Sequence, residues 1–422
     1  MHIAIITAGG AGMFCGSCMH DNTLARALLA AGHEVSLIPT YTPIRVDEQN
    51  VSTPRVFLGG INVYLAALFP FWNRLPRWIT RWLDANWVLR LAARLAINTS
   101  ASKLGKLTVA MLAGDDGPEA RQIDEFADYL GGQLRPDVVM FSNALLAGLL
   151  PRLKRVYNGR IVCLLQGDDI FLNDLIEPYR TQAFRLLRQH VQVFDRFLTH
   201  SEYYRDYMAD QLAISPDRVR VVPLGIDLQG HDGQPRPEPG KPFTIGYFAR
   251  VCPEKGLHLL VQAFRLVHQE FPETRLLAGG YLGARDKAYF DELTHAARDL
   301  GEAFQYVGSP PDHAGKVNFL KQLDAFSVPT TYREPKGLSV LEALANGIPV
   351  VQPRHGAFPE LIAATGGGLL CEPDNLEDLA KSLMELIGQP ELRRELAQRG
   401  HNSVHTNFGV DAMVARTVAA LQ

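Results

Sequence analysis

The sequence predicts an α/β protein built from two doubly wound, Rossmann-like domains facing a cleft. Three observations predict it. Twelve short apolar runs recur along nearly the whole chain, helical patterns lie between them, and one Pro- and Gly-rich stretch interrupts the rhythm near the middle. Most runs are continuously apolar rather than alternating, as expected where helices cover both faces of a parallel sheet. Strand–helix–strand repetition argues for open, doubly wound sheets.

In chain order, strands are predicted at residues 2–7, 34–39, 137–141, 160–165, 196–200 and 219–223, then at 243–249, 274–278, 303–307, 323–328, 348–352 and 367–371. Helices are predicted at 22–31, 144–156, 255–270, 339–346 and 376–386, the fourth ended by Gly347. Residues 225–242 are rich in Pro and Gly and poor in apolar side chains, which reads as a linker between domains of similar size. The expected organisation is a first domain over 1–224 with an insertion at 55–115, a linker at 225–242, a second domain over 243–405 and a closing segment at 406–422. Ligands of such domains bind where the loops leave the carboxyl ends of the strands, in the cleft.

Composition narrows the function classes. A chain of 422 residues implies two to three domains. Lys plus Arg is 42 against 45 Asp plus Glu, a net charge of −3. That balance excludes a protein built mainly to grip nucleic acid, whose basic excess shows in the total. Hydrophobic residues at 47% support a large core. The five cysteines, Cys15, Cys18, Cys163, Cys252 and Cys371, are an odd and sparse set that fits a reducing compartment. The N-terminal residues lack a basic start and read as a strand rather than a signal peptide. The longest apolar stretch, 57–72, is broken by Gly59, Gly60, Asn62 and Pro70, and falls short of the roughly 20 residues of a spanning helix. A soluble, cytoplasmic protein is expected.

Two segments leave alternatives open. After the first strand, Gly9-Gly10-Ala11-Gly12 and Gly16 form a Gly-rich turn into a helix. Such a turn lets backbone N–H groups approach an anion. The acidic residue that a dinucleotide fingerprint needs after the second strand is missing, since that region reads Ile38-Pro39-Thr40-Tyr41. A loop shaping a substrate cleft is therefore favoured over nicotinamide binding. Cys15 and Cys18, with His20 nearby, lack the second pair a zinc site wants, and two small side chains in a tight loop are favoured. The other segment holds all four tryptophans, Trp72, Trp78, Trp82 and Trp87, interleaved with Arg74, Arg77, Arg81 and Arg90. Aromatics packed on the first domain are one reading. An amphipathic surface for membrane headgroups or a lipid-linked acceptor, a peripheral contact at the inner membrane face, is the other.

The second half carries a chemical constellation. Arg250 and Lys255 flank a strand-to-helix turn containing Pro253 and Gly256, and two fixed cations at a helix start suit a diphosphate. Glu334 precedes Pro335, Lys336 and Gly337, and Glu342 lies within the helix that begins near Leu338 and Ser339. The helix start offers N–H groups to phosphate oxygens. Glu342 is placed to accept ribose hydroxyls, and Glu334 those of a sugar beyond the diphosphate. Gly280 and Gly308 end two further strands and leave backbone open at the same sheet edge. Together these features suit a nucleoside diphosphate sugar.

The spacing Arg250…Lys255-Gly256, the Glu334-x7-Glu342 motif with Gly337-Leu338-Ser339, and the Ala-x-Gly-x-Pro-Val run at 345–350 resemble retaining glycosyltransferases of the GT-B fold, family 4 (glycogen synthase- and mannosyltransferase-like). The resemblance covers most of 160–420, including 222–227 and Pro359-Glu360, and in the first domain rests mainly on the Gly-rich loop. It implies that Arg250 and Lys255 hold the donor pyrophosphate, that Glu342 binds ribose and Glu334 contacts the transferred sugar, and that a final helix at 408–421 crosses back to the first domain. It also implies retention of configuration without cofactor or metal, and prefers a UDP-sugar to a GDP-sugar donor. The acceptor is left open among lipid, glycan and small molecule. Many relatives carry a His where this chain has Gln166-Gly167-Asp168-Asp169. Gln166 hydrogen-bonds but does not titrate, so Asp168 becomes a second candidate on the acceptor side beside Gly16. A nucleotide-sugar epimerase of the same fold and a catalytically silent nucleotide-sugar-binding protein are the rival readings.

Overall fold

The computed structural model describes residues 1–9, 15–58, 101–117 and 119–422. Gly10, Gly12 and the four tryptophans lie outside the described residues. The chain divides into two compact units, Met1–Val222 with Val414–Gln422, and Pro223–Met413.

The first unit holds strands β1 (His2–Thr7), β2 (Glu34–Pro39), β3 (Val138–Phe141), β4 (Arg160–Leu164), β5 (Arg196–Thr199) and β6 (Val219–Val221). They pair in the order β2-β1-β3-β4-β5-β6, all parallel. Their sequences are continuously apolar because both faces are covered: Ile3, Ala4, Ile5 and Ile6 are all fully buried, as are Val139 to Phe141. Helix α1 (Gly16–Ala30) follows β1. Part of the predicted insertion packs into this unit, where Phe57 stacks on Phe126 at 4.7 Å between ring centroids and Leu112 is fully buried. The helix predicted at 144–156 is a tighter 3₁₀ segment, Ala144–Leu149, running into an α-helix, Leu150–Val156, with Pro151 in its first turn. Proline is tolerated there because that N–H has no intrahelical partner.

The second unit holds β7 (Phe243–Phe248), β8 (Thr274–Gly279), β9 (Phe304–Tyr306), β10 (Ala325–Phe326), β11 (Val350–Pro353) and β12 (Gly368–Cys371). Their order is β12-β11-β10-β7-β8-β9, again all parallel. Three helices matter below: α2 (Leu257–Glu270), α3 (His313–Leu320) and α4 (Leu338–Ala345). Strand β10 is shorter than the predicted 323–328, yet Asp324 N and Ser327 N still donate to Thr244 O and Gly246 O at 2.8 and 2.9 Å. The register pairs Phe248 with Gly279, Ala278 with Tyr306 and Phe326 with Gly246. The loops after β7, β8, β9 and β10 therefore leave from one carboxyl edge.

The division of the chain differs from the expected boundaries at the linker. Residues 225–242 are not a free linker but part of the second unit. The Asp324 carboxylate accepts from Gly240 N at 2.9 Å, Thr244 N at 2.9 Å and the Arg236 guanidinium at 3.2 Å, and Arg394 donates to Pro237 O at 2.6 Å. Composition reports that this segment lacks its own core, but not that remote polar groups tie it down. The closing helix, α5 (Val410–Leu421), begins within the last residues of the second unit and from Val414 onward belongs to the first unit, where Arg196 donates to Ala420 O at 2.6 Å and Arg160 to Leu421 O. Cations at a helix C-terminus satisfy its last carbonyls.

Candidate functional site

The carboxyl edge of the second sheet gathers most of the predicted residues. Arg250 lies just past β7, where Tyr247 Oη donates to its carbonyl at 3.2 Å and its own Nε donates to Cys252 Sγ at 3.3 Å. Its Nη2 stands 3.9 Å from Glu254 Oε2. Gly280 follows β8 with φ 126°, and a β-carbon there would lie 1.8 Å from Ala249 O, so glycine is what lets these two loops meet beside Arg250. Gly280 N donates to Gly308 O at 2.9 Å, bringing the end of β9 to the same place.

Lys255 precedes α2 and reaches the loop after β10. Its Nζ donates to Glu334 Oε2 at 2.7 Å and to the Tyr332 hydroxyl, which itself donates to Glu334 Oε2 at 2.6 Å. Glu334 Oε1 accepts from the backbone N–H groups of Lys336 at 3.3 Å and Gly337 at 3.4 Å. Burial opposes the charge on Glu334, but the Lys255 ammonium, the Tyr332 hydroxyl and the nearby Lys336 outweigh it and hold the carboxyl down at about 2. Gly337, at φ 84°, is the residue before α4, and a β-carbon on it would press within 2.7 Å of Leu361 Cδ2. Leu338 and Ser339 open the helix, and their N–H groups belong to the first turn, which has no intrahelical acceptors.

Glu342 sits in the second turn of α4 and is buried. Its Oε1 accepts from Lys316 Nζ of α3 at 2.7 Å, and Lys316 is buried as well. Beneath this pair, Asn346 Nδ2 donates to Glu342 O at 2.9 Å and lies 2.7 Å from His231 Nδ1. Burial, then His313 and Lys316, push the His231 imidazole down to about 3, so it is neutral.

Two participants were missed by sequence reasoning. Tyr332 stands two residues before Glu334, and an aromatic hydroxyl so close to a motif carboxylate was an available signal. Lys316 lies 26 residues from Glu342 on another helix, and nothing local announces it.

The acceptor-side candidates lie in the first unit. Gly16 is the first residue of α1. Gln166 follows β4, and its Nε2 donates to Asp21 Oδ1 at 2.9 Å and Ser142 O at 3.3 Å. Asp168 accepts from Ala144 N at 2.5 Å and Gln166 N at 3.0 Å. Burial pushes its carboxyl up to about 6 against those amides, which favour the charged form. Tyr204 donates to Asp169 Oδ1 at 2.6 Å and accepts from Gly167 N at 2.8 Å. Cys18 is a buried thiol pushed up by a hydrogen bond with Cys15 and by burial. Among the described residues, no group of three His, Cys, Asp or Glu side chains is placed to hold a metal ion, and no helix is long and apolar enough to cross a membrane.

Comparison with known proteins bears on the family and the fold. Residues 116–229 match the family described as Glycosyltransferase Family 4, and residues 231–403 match Glycosyl transferases group 1. A D-inositol 3-phosphate glycosyltransferase of Actinosynnema mirum is 31% identical over 222 residues, covering 50% of this chain and 53% of that protein. A glycogen synthase of Mycobacterium tuberculosis is 23% identical over 404 residues, covering 94% and 88%. Several curated relatives are spanned over only 53% to 65% of their length. The fold is shared with the crystal structure of Anabaena HepE in complex with UDP and glucose, at a TM-score of 0.67 and 16% identity, covering 100% of this chain and 99% of that one. The two family matches together take in most of residues 116–403, so the chain belongs to the GT-B glycosyltransferases of the family 4 type.

Proposed function

We propose that the protein is a retaining glycosyltransferase that moves a sugar from a nucleoside diphosphate sugar, with uridine as the base, to a hydroxyl of a lipid, glycan or small-molecule acceptor. The observation that carries this reading is the Lys255–Tyr332–Glu334 cluster, set beside Arg250 and the start of α4 on one sheet edge. A diphosphate requires fixed positive charge and aimed N–H groups, and a transferred sugar requires an ionised carboxylate for its hydroxyls. The chain brings both to the same edge. The UDP and glucose held by Anabaena HepE support the donor class.

In this reading Arg250, Lys255 and the N–H groups of Leu338 and Ser339 stabilise the departing diphosphate, while Glu334 holds the sugar as oxocarbenium-like charge develops. Preorganised electrostatics of this kind supply the largest share of such rate enhancements. Glu342 accepts the ribose hydroxyls. The leaving phosphate oxygen takes the acceptor proton, so no dedicated base and no metal is required.

The test is turnover of UDP- and GDP-sugars with candidate acceptors, read by product mass and anomeric configuration. Extension of an acceptor with retention is expected, with little effect of a chelator. Glu342→Ala is expected to lose turnover while remaining folded. Conversion of the donor to an isomer without acceptor extension, or full activity of folded Glu342→Ala, overturns the assignment.

A further inference from the structure

The Lys316–Glu342 pair joins two helices inside the second unit, and no motif in the sequence required it. Lys316 is 3% and Glu342 6% exposed, with Nζ and Oε1 2.7 Å apart. Burying a lone carboxylate is costly, and such a group tends to take up a proton. A buried ammonium on the facing helix removes that tendency and fixes one oxygen in space. An ionised carboxylate offers about four acceptor positions, and the bond from Lys316 takes one of them. The other edge carboxylate, Glu334, already has its own cation in Lys255. The two glutamates of the motif are therefore each tied to a lysine from a different element, and of those lysines only Lys255 was singled out by the sequence. The hydrogen bond from Asn346 to Glu342 O, with His231 behind it, anchors the same turn of α4 from below.

We infer that Lys316 is a positioning residue for nucleotide recognition, which keeps Glu342 a charged and oriented acceptor and so sets how strongly the site distinguishes ribose from deoxyribose. This rests on the reading of the second unit as the donor-nucleotide site. Lys316 itself need not touch the nucleotide. A purely structural lysine would change stability without changing preference between two ligands that differ by one hydroxyl.

The experiment is calorimetric titration of the whole protein with UDP, GDP and ADP and with their 2′-deoxy counterparts, for the wild type, Lys316→Met and Lys316→Arg, with thermal melting of each. Wild type is expected to bind its preferred diphosphate about tenfold or more tightly than the deoxy form, because a charged acceptor left unpaired is strongly penalised. Lys316→Met is expected to bring that ratio close to one, and Lys316→Arg to retain most of it. Should Lys316→Met fail to fold, Lys316→Gln keeps a donor without charge and is expected to show the same loss. A folded Met or Gln variant with the wild-type ratio overturns the inference and leaves the donor-site reading standing. A wild type that binds none of the three diphosphates overturns that reading and the inference with it.

Discussion

The two sheets share strand count, parallel pairing and buried apolar strands, yet their carboxyl edges are built for different work. In the first unit, the polar groups after β4 bind one another and the backbone: Asp168 is held by two amides, Gln166 reaches Asp21, and Tyr204 reaches Asp169. In the second unit, the edge carries Arg250, Lys255, Lys316 and Lys336 among the carboxylates Glu254, Glu334 and Glu342. Two buried carboxylates summarise the contrast. Burial, with the neighbouring Asp169, outweighs the amides at Asp168 and pushes it up to about 6, whereas Lys255, with Tyr332 and Lys336, overrides burial at Glu334 and holds it at about 2. The difference is the neighbouring cation, and an anionic ligand is attracted to the edge that has one.

The largest expected effect lies at that cation. Lys255→Ala strips the ammonium from Glu334 and from the proposed diphosphate site, and turnover of the donor is expected to fall by about 100- to 1,000-fold. A steady-state assay on protein whose circular dichroism is unchanged checks this, and wild-type turnover would erase the contrast between the edges. Arg250→Ala is expected to cost on the order of 100-fold in kcat/KM, since Arg250 stands at the same edge without the Glu334 contact. An equal effect from Arg250→Ala and Lys255→Ala would show that the ion pair adds nothing to catalysis.

Acid titration separates the two carboxylates. Asp168 binds its proton more tightly in the folded protein, so its share of stability is greatest below its ordinary value of 3.8 and declines as pH rises to about 6. Glu334 has the opposite sign, with its share present above its ordinary value of 4.5 and lost as pH falls toward 2. Asp168→Asn is expected to flatten the fall in unfolding free energy between pH 4 and 6, by roughly 2 kcal/mol. Denaturant unfolding across that range measures it, and an unchanged pH profile would refute the burial argument. The smallest effect is expected at Gln166→Ala, which loses a side-chain hydrogen bond worth about 1 kcal/mol of stability. Its donor affinity, measured by titration, is expected to stay at the wild-type value, and a large loss of affinity would move the first edge into the donor site.

The fold was legible because parallel strands buried on both faces write themselves as continuous apolar runs, and each of the predicted runs overlaps a strand. The Arg250–Lys255 and Glu334–Glu342 motifs were legible because the first lies in one strand-to-helix connection and the second runs from such a connection into the second turn of its helix, where local spacing carries the geometry. What escaped is long-range. Residues 225–242 show their Pro and Gly content but not the Asp324 carboxylate that ties Gly240 and Arg236. Glu342 shows its place on a helix but not Lys316.

The amino-acid order by itself therefore determined the α/β class, the strand runs and the residue types at the second sheet's edge, since hydrophobic periodicity and turn chemistry act over a few residues. Only the tertiary structure decided which charges meet. Lys255 joins Glu334 and Lys316 joins Glu342 across 79 and 26 residues, and a pairing over such separations is set by how strands and helices pack, which no local pattern encodes.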